Sequence, residues 1–564
     1  MDSPAEAVAV SEGVEFDELI DRLRAGHAAW RALPPQGRAA LLRACMDGVM
    51  SVAPRWVELG CRAKGLDPES AQAGEEWLAG PMTTIRGFRL MADTLAALGD
   101  HEPNTVRAGP DGRSIVGVFP SSLFDRLLYL GIHGEIWLAP GAPPTRASAY
   151  RSPRSAQRDG PRVALVLGAG NVASIAPLDV LTTLVVHDVT VLLKLNPVNG
   201  YLQPVFEEAF SPLIDAGVLA IVGGGAQVGS RLANHPGVDR VHLTGSRRTY
   251  DALMWGGTGE EQVWRKTRGE PLLTKPVTAE LGCVTPILVV PGRWSASDLR
   301  FQARHVAAMV SHNASFNCVA GKVLVVAGGW SQRESFLGEV QSALGRTPAR
   351  LAYYPGAEER FAAFRTRYPR AQAVGPAMAG SVPWTVIPEV PPSTGEYALE
   401  QEAFCGILAE VTLDAAGPED FLGAATSFAN SCVEGTLSCV LLVDPTTRRR
   451  KREAVDRAIR DLRYGSVAVN VWSGVVFAIG TTTWGAYPGH APADIGSGVG
   501  VVHNSFLYDH PEKSVVEGPF RLRPTPVWFA DHRTLREVGR RLTAFEHRPS
   551  WSKLPALLWA GLRG

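Results

Sequence analysis

Between Pro161 and Gly245 apolar runs of strand length alternate with runs of helical spacing, and this alternation constrains the fold more than anything else in the chain. VALVLGA reads as a strand, PLDVLTTLVVH as a helix, VTVLLKLN as a strand and YLQPVFEEAFSPLIDAG as a helix. LAIVGG, GSRLANHPG and DRVHLTG continue the series as strand, helix and strand. Parallel strands need long crossovers, so a βαβαβ series of this kind predicts a doubly wound parallel sheet with helices on its faces. A second α/β region begins near Lys275 and runs to about Asn470, with PILVVPG and GKVLVVAGG as strands around the helix LRFQARHVAAMVSHNAS.

The flanks read differently. FDELIDRLRAGHAAWRAL and GRAALLRACMDGVMSVAPRWVELG place apolar residues three to four apart, which predicts helices from residue 15 to about 100. RSIVGVFPSSLFDRLLYLGIHGEIWLAPG turns to short extended runs, and Ala142 to Gly160 reads as a polar connector. The glycine-rich stretch VFAIGTTTWGAYPGHAPADIGSGVG reads as loop, and residues 505 to 564 as a tail with Trp528, Trp551 and Trp559.

At 564 residues with 56 basic and 56 acidic side chains, the chain can bury two or three cores, and its charge makes no case for nucleic acid or an anionic membrane as partner. The beginning, MDSPAEAVAVSEGVEFDELIDRL, is acidic and shows no secretory signal, and the apolar stretch Val163 to Leu193 carries Asn171, Asp179 and Asp188, which a membrane span would not. Seven scattered cysteines without a C-x-x-C pair point to reduced thiols in a cytoplasmic protein with no zinc site.

After the first strand, Gly168-Ala-Gly170-Asn-Val-Ala173 fits the G-x-G-x-x-G/A nucleotide fingerprint. The acid expected some 20 residues on is Asp188, yet it precedes the strand VTVLLKLN, which ends near Lys194. The fingerprint is therefore half present. Three further stretches follow in order: KPVTAELGC (Lys275 to Cys283), SHNASFNCVAGK (Ser311 to Lys322) and LEQEAFCG (Leu399 to Gly406). Together with VHLTGS (Val241 to Ser246), over about residues 160 to 480, they resemble the NAD(P)-dependent aldehyde dehydrogenase superfamily.

The resemblance implies an aldehyde dehydrogenase-like α/β fold of two doubly wound domains with a small β oligomerisation arm. The expected division is a cofactor-binding domain from residues 1–110 and 141–272, a catalytic domain over 273–475, oligomerisation or bridging segments at 111–140 and 476–530, and a C-terminal tail at 531–564. It implies a homodimer or homotetramer, and NAD or NADP as cofactor, since Pro197 stands where many NAD-preferring members carry an acid. Cys318 matches the family nucleophile, Glu280 the glutamate of E-L-G-G and Asn171 the asparagine of the catalytic pocket. Lys194, Gly245, Ser246, Glu402 and Phe404 match cofactor-binding positions.

These residue types suit oxidation of an aldehyde to an acid. A thiolate can form the tetrahedral adduct from which hydride leaves. An amide and a backbone N–H can stabilise its oxyanion, and a carboxylate raised in pKa by apolar neighbours can activate water against the thioester. Glu280 tilts the reading toward hydrolysis and away from a CoA-acylating aldehyde dehydrogenase or acyl-CoA reductase, the first alternative. The second is a non-catalytic scaffold, since the motifs depart from the family. Ser315 and Phe316 replace Gly and Gln, Cys283 replaces the second Gly of E-L-G-G, Cys405-Gly406 replaces Gly-Pro, and Gly170 replaces a Trp. WGGTGEEQVWRKTRGE reads as an insertion, and Cys283 as a packed structural thiol.

Overall fold

The computed structural model describes residues 14–98, 105–151 and 162–564. Met1–Gly13 and residues 152–160 of the expected connector lie outside these, so the expectations placed on them do too.

Two sheets organise the chain. The first has six strands in the order Gly498–Val499, Val277–Leu281, Arg240–Gly245, Val163–Leu167, Thr190–Lys194 and Leu219–Val222. Its central members are parallel, as the alternating pattern requires. Every residue of Val163–Leu167 and Thr190–Lys194 is buried, which explains why these strands read as unbroken apolar runs: helices cover both faces. The helices Val14–Ala32, Pro35–Ala63 and the wholly buried Ile175–Val185 provide that cover. Burying each branched side chain contributes about 1.5–3 kcal/mol, so these short strands hold without alternation.

The second sheet has eleven strands. Its parallel heart runs Ser466–Val469, Ser438–Leu442, Thr285–Val289, Gly321–Ala327, Ile407–Leu413 and Trp384–Ile387. One edge ends in the antiparallel strand Gln372–Val374. On the other side Pro511–Glu517 lies parallel to Ser466–Val469 and antiparallel to His133–Leu138, which pairs in turn with Ser114–Phe119 and, beyond it, Thr105–Ala108.

Several boundaries differ from those the sequence suggested. Val277–Leu281 pairs with Arg240–Gly245, so the first sheet extends past residue 272 and takes in the strand carrying Glu280. The segment 111–140 does not stand free as an arm. Its hairpin is stitched into the chain's own larger sheet because Pro511–Glu517 pairs on both sides, and it contains a helix, Leu123–Leu128, where extended chain was expected. Residues 531–564, expected as a C-terminal tail, contain the helices Leu535–His547 and Leu554–Leu562, whose apolar residues pack with Met82 in one cluster. The segment read as an insertion holds the helix Glu260–Arg268, none of whose residues is buried. No helix among the described residues is long and apolar enough to cross a membrane.

Candidate active site

The parallel strands of the first sheet deliver their C-terminal ends to one crevice, the usual ligand position in such sheets. Leu167 leads to Asn171; Lys194, Gly245 and Leu281 end the neighbouring strands, and the register pairs Thr244 with Glu280 and Gly245 with Leu281. The other wall comes from the loop between the helix Ala296–Ser311 and the strand Gly321–Ala327.

That loop is backbone-strained. Asn313, Ala314 and Ser315 have φ of 53°, 54° and 71°, a run of left-handed residues without a glycine. Each costs about 1–2 kcal/mol for a residue bearing a Cβ, so the surroundings must over-determine it. Asn313 does most of this. Its amide donates to the carbonyls of Asn171 (3.0 Å) and Phe316 (3.1 Å), and its Oδ1 accepts from Lys64 Nζ (3.0 Å) and the Tyr353 hydroxyl (3.1 Å). Its backbone N–H donates to Glu75 Oε2. Ser315, where the family has glycine, is held by Lys322 Nζ through both its hydroxyl (2.8 Å) and its carbonyl (3.2 Å).

The loop delivers Cys318 to Glu280. The thiol donates to Glu280 Oε1 at 3.3 Å, and the other carboxylate oxygen accepts from Trp484 Nε1 at 2.8 Å. Glu280 is buried, and burial first, then the charge of Asp179, raises its pKa above the usual carboxylate range. Burial, with the charges of Glu280 and Glu402, pushes the Cys318 thiol well up as well, so it rests protonated. Asp179 is held ionised despite its burial, chiefly by His242, and accepts from the Thr244 hydroxyl (2.8 Å) and pairs with His503 (3.1 Å). Asn171 is buried beside the same loop, its amide donating to the carbonyl of Phe316 at 3.0 Å. The structure therefore puts Cys318 in contact with Glu280 and sets Asn171 against the loop that carries Cys318.

A second carboxylate lies close by. A Cβ on Gly282 would fall 1.8 Å from Glu402 Oε2, so only glycine fits where Glu402 packs against the strand end. Glu402 Oε1 is buried with no hydrogen-bond partner, and burial, offset by Lys322, takes its pKa to about 7. Phe404, with φ of 41°, packs tilted against Phe316 and edge-to-face with Tyr354, and its carbonyl accepts from Arg360. Lys194 is buried at its strand end, and desolvation lowers its pKa to about 8. Gly245 ends its strand and Ser246 caps the helix Arg247–Trp255, its hydroxyl accepting from the N–H of Thr249. Gly170 leaves room for the Asn196 amide, which a Cβ would meet at 2.6 Å. Asp188 does not approach the crevice residues: it pairs with Arg38 at 2.7 Å. Cys283 is buried, its thiol directed at the carbonyl of Ser438.

Sequence reasoning missed Trp484, Lys64, Lys322 and the Asp179, His242 and His503 group. Lys322 and His242 lie inside SHNASFNCVAGK and VHLTGS without standing out there, and the others sit in no motif. The one available signal is the buried polar residue on an apolar helix face, as Asp179 is in PLDVLTTLV.

Comparison with known proteins fits this geometry. The model of the aldehyde dehydrogenase family matches residues 181–348, within which Glu280 and Cys318 lie. Over that segment the chain is similar to the aldehyde dehydrogenase family. An alpha-ketoglutaric semialdehyde dehydrogenase of Azospirillum brasilense is 25% identical over 370 residues, spanning 64% of this chain and 60% of that relative's length. Two Pseudomonas syringae enzymes share the fold. One is aldehyde dehydrogenase C, solved with NAD+ and octanal, with a TM-score of 0.60 at 17% identity over 91% of this chain and 90% of its own. The other is an indole-3-acetaldehyde dehydrogenase solved with NAD+, with a TM-score of 0.58 at 19% identity over 89% of each chain. The chain thus shares their fold with a sequence far from theirs.

Proposed function

We propose that the protein oxidises an aldehyde to a carboxylic acid with NAD+ or NADP+, through a thiohemiacetal and then a thioester on Cys318. The single observation that carries this reading is the contact between the Cys318 thiol and Glu280. When bound, the nicotinamide supplies the hydride acceptor. The residues fit such a cofactor: Glu402 Oε1 is a buried acceptor without a donor, as ribose hydroxyls would supply, and Lys194, Gly245 and Ser246 line the same strand ends.

As Cys318 Sγ attacks the aldehyde carbon, its proton passes to Glu280, whose raised pKa suits it to hold that proton. The new oxyanion has Asn171 and the backbone N–H of Cys318 as candidate donors, each worth on the order of 10²–10³ in rate. Hydride loss leaves the acyl group on sulfur. Glu280, once deprotonated, takes a proton from water, and the hydroxide attacks the thioester, breaking its C–S bond and returning the thiol. Aldehyde, water and oxidised cofactor give acid, reduced cofactor and a proton.

A carboxylate in contact with the sulfur favours water as acyl acceptor over CoA. The test is mass spectrometry and pre-steady-state kinetics of two variants. Cys318→Ala should bind cofactor and turn over nothing; Glu280→Gln should release at most one equivalent of reduced cofactor and accumulate an acylated Cys318. Steady turnover by either variant would remove that residue from its role. A wild-type rate that depends on added CoA would favour the acyl-transfer alternative, and absence of any cofactor binding the scaffold.

A further inference from the structure

A cavity of about 400 Å³ opens onto Cys318 and Glu280. The π-helical turn Leu78–Met82, the segment Leu127–Leu130, the helix Ser473–Ala478 and both C-terminal helices wall it. Glu280, Asn317 and His312 lie in its lining with Cys318; the rest of the wall is mainly aliphatic or aromatic, with Thr83, Arg523, Thr525 and His532 as its polar members. His532, farther along, is pushed below its ordinary pKa by burial and adds no charge. Arg523 is a lining cation but is exposed to solvent.

Burial along the wall changes in one direction. Val475 and Leu557 are buried, whereas Leu130 and Leu562 are 63% and 66% exposed, so the cavity reaches the surface between residues 127–130 and the last helix. A mainly apolar wall that runs from a buried nucleophile to an exposed apolar mouth offers a charged substrate no buried counter-charge and few hydrogen-bond partners, so most polar groups would lose water at a cost. It suits one whose only polar group is the reacting carbonyl.

We propose that the substrate class is a straight-chain aliphatic aldehyde of medium to long chain, its hydrocarbon tail lying between the Leu127–Leu130 segment and the C-terminal helices. The inference rests on the oxidation proposed above for its reacting end, and on the cavity alone for its tail. Each buried methylene should then raise kcat/KM about fourfold until the cavity is filled.

The experiment has a kinetic and a binding arm. With the full-length protein and either cofactor, kcat/KM should climb steeply from propanal through hexanal to decanal, and succinic semialdehyde should lie at least about 100-fold below decanal. Separately, dodecan-1-ol should quench the fluorescence of the cavity tryptophans Trp472, Trp484 and Trp528 saturably, without any turnover. Leu128→Trp, at a half-buried mouth position, and Val475→Phe, deeper, should each weaken dodecan-1-ol binding at least tenfold while sparing propanal oxidation. Saturable dodecan-1-ol binding lost in both variants, with no aldehyde oxidised, would sink the proposed oxidation and leave the tail site standing. Equal kcat/KM for propanal and decanal, or no saturable dodecan-1-ol binding, would overturn the tail site itself.

Discussion

Cys318 Sγ and Glu280 Oε1 lie 3.3 Å apart with the thiol as donor, so the carboxylate proposed to activate water is also the one placed to take the thiol's proton. Both pKa values are raised, chiefly by burial. Only the ionised Glu280 can accept, and its pKa lies above that of a free carboxyl. Activity should therefore be lost as pH falls through the raised Glu280 value, with a limb at higher pH than an ordinary glutamate would give. Trp484 donates to Oε2 and so favours the charged carboxylate. Trp484→Phe should move the acid limb of kcat/KM to still higher pH, with a loss at the optimum of less than about tenfold. An unmoved limb would mean that this hydrogen bond does not tune the base.

The strained loop gives a prediction of opposite sign for stability. Ala314 has φ of 54° and no side-chain polar group to compensate. Glycine removes a left-handed penalty of about 1–2 kcal/mol and adds unfolded-state entropy worth about 0.5–1 kcal/mol. The penalty is the larger. Ala314→Gly should raise the unfolding free energy by up to about 1 kcal/mol in a denaturant titration, and a measured loss would show that the loop is not strained there.

Lys64 and Glu76 form a buried pair at 2.7 Å beneath that loop, both side chains under 5% exposed. Removing one member leaves an uncompensated charge. Lys64→Met should cost about 3–5 kcal/mol of stability, and Lys64→Met with Glu76→Leu should recover most of it, because an apolar pair of similar volume is often neutral. A double-mutant cycle reads the coupling directly. Since Lys64 also holds Asn313, both variants should lower kcat.

Much of this was legible in the chain, for physical reasons. Val163–Leu167 and Thr190–Lys194 are covered on both faces, so they stand out as apolar runs between amphipathic helices, and the parallel sheet follows. Cys318 and Glu280 sit in local motifs whose order survives divergence. What escaped is what distant segments supply. Trp484 reaches Glu280 from 204 residues away within a glycine-rich stretch that reads as loop. Val277–Leu281 is too short to declare which sheet it joins; its pairing with Arg240–Gly245 decides that. The last 34 residues looked like a tail because Trp551 and Trp559 are indeed exposed, at 59% and 62%; their neighbours Leu554, Leu557 and Ala560 face inward and wall the cavity or its supporting cluster.

Gly282 offers a test of the cofactor side that leaves the sulfur untouched. It follows Glu280 by two residues, and its missing side chain is what lets the Glu402 carboxylate pack against the strand end. Gly282→Ala would put a methyl group 1.8 Å from Glu402 Oε2. A glutamate side chain can rotate away, so the fold should survive while Glu402 leaves its place. Loss of a hydrogen bond to a charged acceptor costs about 1.5–3 kcal/mol, or about 10- to 100-fold in affinity. Calorimetric titration should show NAD+ or NADP+ binding weakened by that factor, with the unfolding midpoint little changed. Glu402→Gln should weaken the cofactor less, because an amide oxygen still accepts, and should raise the midpoint at pH 8 more than at pH 5. The sign follows from its pKa of about 7: burial favours the protonated form, so the wild-type carboxyl loses folded-state stability as pH rises through that value, and the amide has no charge to bury. Unchanged cofactor affinity in Gly282→Ala would detach Glu402 from the cofactor altogether.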